Sequence, residues 1–72
     1  MSLKCGVYKH YKGGCYQVLG VIQHTETNEI GVCFVSLDPD LPGPRLRFRP
    51  YDQFTEILPD GRLRYQWLGD GR

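Results

Sequence analysis

The chain has 72 residues, a formal net charge of +1, 24% charged and 40% hydrophobic residues, a balance that suits one small globular domain and excludes a disordered or strongly basic chain. No stretch approaches the roughly 20 apolar residues of a membrane helix, and Met1-Ser2-Leu3-Lys4-Cys5-Gly6 has no apolar signal region. The three cysteines, Cys5, Cys15 and Cys33, are odd in number and without a C-x-x-C pair, so a disulfide framework is not expected and a reducing, cytoplasmic location is.

Val7 to Tyr11 reads as a first strand, because valine and tyrosine suit a pleated surface and Lys12-Gly13-Gly14 supplies a hairpin turn. Cys15 to Gln23 reads as a second. Period-two alternation sends Tyr16, Val18 and Ile22 one way and Cys15, Leu19 and Val21 the other, with Gly20 marking a bulge or bend. After the polar run His24 to Glu29, a third strand, Ile30 to Leu37, again carries apolar side chains on both faces. Such two-sided strands belong in the middle of a fold.

Asp38-Pro39-Asp40-Leu41-Pro42-Gly43-Pro44 predicts a surface loop, since three prolines remove donors and the glycine breaks what remains. Arg45, Arg47 and Arg49 then alternate with Leu46 and Phe48 up to Pro50, the pattern of a half-buried edge strand. Tyr51-Asp52-Gln53 predicts a single 3₁₀ turn and Phe54 to Leu58 a short strand. Pro59-Asp60-Gly61 is a turn, beyond which Leu63, Tyr65 and Trp67 alternate with Arg62, Arg64 and Gln66. The tail, residues 69–72, is expected to be mobile.

Five to six short strands, frequent turn signals and no helical periodicity predict an all-β fold spanning residues 1–72, a small SH3-like antiparallel barrel or a strongly bent sheet. Two-sided strands in so small a barrel leave apolar surface to cover, which predicts a homodimer.

Several strings carry a family resemblance. Tyr8-Lys9-His10-Tyr11-Lys12-Gly13-Gly14, Tyr16-Gln17-Val18-Leu19-Gly20-Val21, His24-Thr25-Glu26-Thr27, and Arg49-Pro50 followed by Phe54 together resemble domain-of-unknown-function family 1653 over about residues 6–66. The resemblance implies a small bacterial β-domain and carries no activity with it. The loop from Asp38 to Pro44 is richer in proline than the family pattern, and Arg47 stands where an aromatic residue is common.

The side chains that bear chemistry do not assemble a catalytic or metal motif. His10 and His24 lack a third ligand at useful spacing, no nucleophile or second carboxylate accompanies them, and no cofactor is expected. His24-Thr25-Glu26-Thr27 reads as a structural loop whose side chains cap backbone donors. A non-enzymatic binding module is therefore the expected function. Its leading form binds a protein or peptide through a strand edge or an aromatic-lined surface, with Tyr8, Tyr51 and Trp67 as a partly exposed platform. The alternative binds nucleic acid or another polyanion through Arg45, Arg47, Arg49, Arg62 and Arg64, expected as one solvent-facing basic patch opposite Leu46, Phe48, Leu63, Tyr65 and Trp67.

Overall fold

Alternation, turns and two register shifts build a single antiparallel sheet in the computed structural model, which describes residues 3–70. Its strands are β1 (Gly6–His10), β2 (Cys15–Gln23), β3 (Ile30–Ser36), β4 (Leu46–Pro50) and β5 (Tyr65–Gly69), in the spatial order β4-β3-β2-β1-β5. Between β4 and β5 lies α1 (Tyr51–Phe54). Lys12-Gly13-Gly14 makes the β1–β2 turn: the Gly13 N–H donates to the His10 carbonyl (2.9 Å) and the His10 N–H to the Gly14 carbonyl (3.0 Å). Both glycines sit at positive φ, where a side chain would be strained. Gly69 pairs with Val7 and so ends a strand. Of the rest of the expected mobile tail, Asp70 follows as an exposed bend, and Gly71 and Arg72 lie outside the described residues.

The bulge at Gly20 decides which apolar side chains enter the core. Val18 pairs with Phe34, but Gly20 already pairs with Cys33 and Val21 with Val32, so the register shifts by one residue. Val21 thereby joins the inner face with Val18, while Leu19 and Ile22 turn outward. Strict alternation had placed Ile22 with Val18 and Val21 opposite.

Tyr8, Val18, Val32, Phe34 and Tyr65 form the inner face, and Phe54 of α1 closes the core over them. The Phe54 ring stacks on Tyr65 at 4.1 Å with planes 8° apart, and meets Tyr8 edge-on at 5.3 Å. Offset or stacked aromatic pairs of this kind contribute about 0.5–1.5 kcal/mol each beyond the area they bury. The helical turn is α rather than the expected 3₁₀ because the Thr55 N–H reaches back four residues to the Tyr51 carbonyl (3.0 Å) and the Thr55 hydroxyl donates to the same oxygen (2.9 Å).

That turn also removes the sixth strand. Phe54 is drawn into the core at the end of α1, and of the expected strand Phe54–Leu58 only the isolated bridge Ile57↔Leu63 forms. With no strand to link them, β4 and β5 remain the two edges of an open, bent sheet rather than the seam of an SH3-like barrel.

Candidate functional site

The register of the edge strand β4 sets the site. Arg47 pairs with Phe34 and Arg49 with Val32, so both arginines stand on the inner, core-facing side, while Leu46 and Phe48 share the outer side with Val35 and Cys33. This inverts the expected faces. Period two is kept, but at the rim of so small a core a long guanidinium side chain crosses the inner face with its stem packed and its head in a cleft.

That cleft encloses about 330 Å³ and is lined by Tyr16, Phe34, Arg47, Arg49, Gln53 and Tyr65 among others. Tyr16 meets Phe34 edge-on at 5.2 Å and Tyr65 at 5.8 Å, so the aromatic wall is continuous with the core. The Arg49 guanidinium lies 5.7 Å from the centre of the Tyr65 ring. Ion pairs among the described residues are Arg62 with Asp60 and Arg64 with Glu56, which leaves Arg49 facing an aromatic ring rather than a carboxylate. Burial raises the pKa of the Tyr65 phenol, against the opposing pull of Arg49.

The five arginines do not share one outward face. Arg45 is exposed and binds the Asp38 carbonyl (2.6 Å) and the Pro39 carbonyl (2.9 Å). Arg47 donates from Nε to the Pro44 carbonyl (3.0 Å) and from Nη2 to the Pro42 carbonyl (2.9 Å). These two guanidiniums thus satisfy carbonyls of the proline loop. Arg62 pairs with its turn neighbour Asp60 at 2.6 Å. Arg64 pairs with Glu56 and lies 5.6 Å from the Tyr11 ring. Only Arg47 and Arg49 line the cleft together.

The expected aromatic platform is likewise divided. Tyr8 is 5% exposed, a core residue whose hydroxyl donates to the Lys4 carbonyl at 2.7 Å. Tyr51 is half-buried against the core. Trp67 is exposed, donates from its indole N–H to the Cys5 carbonyl (3.2 Å) and carries the Lys4 ammonium 4.3 Å from its ring. Tyr8 and Trp67 border a second groove of about 320 Å³ with Leu3, Phe54 and Leu63. The residues that sequence reasoning missed are Tyr16, Gln53 and Tyr65. Alternation marked Tyr65 as core, and its position beside Arg49 follows only from the curl of the sheet.

Both histidines serve local structure through Nδ1. His24 Nδ1 accepts from the Glu26 N–H (3.2 Å) and the Thr27 N–H (3.3 Å), and the Thr27 hydroxyl accepts from the Glu29 N–H (3.2 Å). The loop is a side-chain-capped turn, with imidazole and hydroxyl as the caps. His10 Nδ1 accepts from the Lys12 N–H (3.1 Å), and its ring meets Tyr65 edge-on at 4.9 Å. Burial chiefly, then Arg64, Arg49 and Lys12, lower the pKa of His10. Among the described residues no group of three or more histidine, cysteine or acidic side chains converges to hold a metal ion. No helix there is long and apolar enough to cross a membrane.

A crystal structure of a DUF1653 protein from Bordetella bronchiseptica superposes with a TM-score of 0.85 at 29% identity, covering 97% of this chain and 92% of that one. No curated protein matches the sequence. The model of the family described as protein of unknown function (DUF1653) matches residues 6–66. That match takes in every strand but the end of β5, and the chain belongs to the DUF1653 family.

Proposed function

We propose that this chain is a non-enzymatic binding module that takes an extended protein or peptide segment at the aromatic cleft, with Arg49 receiving a carboxylate of that segment. The supporting observation is the Arg49 guanidinium, set over Tyr65 at the mouth of the cleft with no carboxylate beside it among the described residues. A planar guanidinium fork matches a carboxylate bidentately, and the contact with the Tyr65 ring preorganises it. The apolar wall of Tyr16 and Phe34 accepts the neighbouring side chain.

A volume near 330 Å³ lies at the low end for ligand sites and suits one or two side chains. The cleft also borders the free edge of β4, where an extended backbone finds unpaired donors and acceptors. A polyanion is the competing occupant. It has one guanidinium in the cleft without a carbonyl or carboxylate partner to attract it, and Arg47 only at the expense of the proline loop.

An NMR titration tests the reading with a peptide carrying one glutamate between apolar residues, beside the same peptide with glutamine. The expected result is shifts centred on Tyr16, Arg49, Gln53 and Tyr65, at least tenfold weaker binding of the glutamine peptide, and no discrimination in Arg49→Gln. Equal affinity for both peptides, or saturation of these resonances by a single-stranded oligonucleotide but not by peptide, overturns it.

A further inference from the structure

An antiparallel sheet with one packed face ordinarily presents polar residues on the other. Here it does not. The register lays out the outer face in rows across the sheet: Leu46, Val35, Gln17 and Val7 in one, Phe48, Cys33 and Gly20 in the next, then Gly31 and Ile22. Gln17 is the one polar side chain in these rows, and the one charge on this side of the sheet beside them is Lys9 of β1, in the adjoining row with Cys15 and Leu37. Leu19, Ile22, Leu46 and Phe48 are 52%, 43%, 60% and 39% exposed. The Phe48 ring covers Gly31, where a Cβ would overlap it.

We infer that this outer face of β2, β3 and β4 is the contact surface of a symmetric dimer, with a second copy of the chain as its occupant. Two features single out a second copy. The part of the face on β2, β3 and β4 carries no charge and offers a foreign partner no electrostatic register, whereas two such parts cover each other with Lys9 of β1 outside them. The area also matches: with Leu37, the exposed side chains leave on the order of 400–500 Å² of apolar surface. That is about a tenth of the chain's 5125 Å², the share that a standard interface takes from a small protein. Counting both copies and the half-buried Val7, Cys33 and Val35 between them, the joint burial is roughly 1,000 Å², at the lower bound for a specific pair. Each open sheet becomes half of a sandwich, with the outer faces about 10 Å apart and related by a twofold axis. The concave cleft stays on the far side, so the inference stands apart from the proposed peptide site.

Sedimentation equilibrium of the intact chain from 1 to 500 μM (an order-of-magnitude range set by the small interface) decides the matter. The expected result is reversible association to twice 8.3 kDa with a micromolar dissociation constant. Leu46→Glu and Leu19→Glu, made separately at the two most exposed positions of the face, are each expected to weaken it at least tenfold while leaving the circular dichroism spectrum and melting temperature of the monomer unchanged. A mass of one chain throughout overturns the inference. So does a dimer that both variants leave intact, which would place the contact at the β4 or β5 edge, or a monomer whose outer face binds lipid vesicles.

Discussion

The Arg49 guanidinium, on one edge strand of the sheet, lies 5.7 Å from the centre of the Tyr65 ring on the other edge strand. Two edges that share no backbone ladder are thus brought together across the concave face by the curl of the sheet, and Phe54 stacks on the same tyrosine to hold the closure. Arg49→Ala is expected to cost no more than about 1 kcal/mol of stability, the scale of an exposed cation–π contact, yet to remove carboxylate-peptide binding. Tyr65→Ala is expected to cost about 3–5 kcal/mol through the cavity it leaves. Urea unfolding of both variants beside a binding titration separates the two roles, and equal losses of stability would contradict the assignment of Arg49 to the ligand.

Gly6 and Gly31 carry close approaches that no other residue fits. Gly6 sits at φ 132°, and a Cβ there would overlap the Gly69 carbonyl oxygen and come within 2.9 Å of the Trp67 indole nitrogen. Gly6→Ala is therefore expected to destabilise by at least about 2 kcal/mol and to loosen the β1–β5 pairing. Gly31→Ala is expected to cost about 1–3 kcal/mol, because its Cβ meets the flexible Phe48 ring but also the fixed Arg49 carbonyl. Thermal melts of the two variants, with amide exchange along β5, provide the check.

Stability is expected to depend on pH through His10. Its ring packs beside Tyr11 and Tyr65, and burial, with the positive charges of Arg64, Arg49 and Lys12, lowers its pKa below the ordinary 6.5. Between that lowered value and 6.5 the unfolded chain binds more protons than the folded one, so this contribution is complete above pH 6.5 and is lost as pH falls through the window. Protonation also turns Nδ1 from an acceptor for the Lys12 N–H into a donor facing it. Denaturant melts at pH 5 and 7.5 are expected to show the fall, and His10→Asn to flatten it.

Arg45 and Arg47 are expected to act as fasteners of the proline loop rather than as ligand arginines. Each places two donors on loop carbonyls, and a lysine at 47 cannot reach the Pro42 and Pro44 carbonyls together. Arg47→Lys is expected to cost about 0.5–1.5 kcal/mol and to raise amide exchange of residues 38–46 selectively. Uniform exchange across the chain would count against it.

Much of the fold is legible in the sequence because local rules agree along most of it. Valine, isoleucine and tyrosine runs between Lys12-Gly13-Gly14, His24 to Glu29 and the proline loop mark β1 to β4 within a residue or so. The segment after Pro50 is not decided locally, because Phe54 serves equally as the end of a strand and as the last residue of a helical turn, and only the core it enters distinguishes them. For the site, alternation alone identified Arg45, Arg47 and Arg49 as one face, and no local rule says which face of an edge strand points inward.

What the sequence by itself determined is the inventory: an all-β chain, its strand and turn positions, the bulge at Gly20 and apolar side chains on both faces of β2 and β3. Tertiary structure decided everything that depends on register. Pairing Arg47 with Phe34 put the arginines over the core and Leu46 and Phe48 outside. The one-residue shift at Gly20 sent Ile22 outward and Val21 in. Drawing Phe54 into the core left the sheet open and set Arg49 over Tyr65. The physical reason is that a period of two specifies two faces without labelling them, and a single-residue slip exchanges them. The labels come only from contacts between residues far apart in the chain.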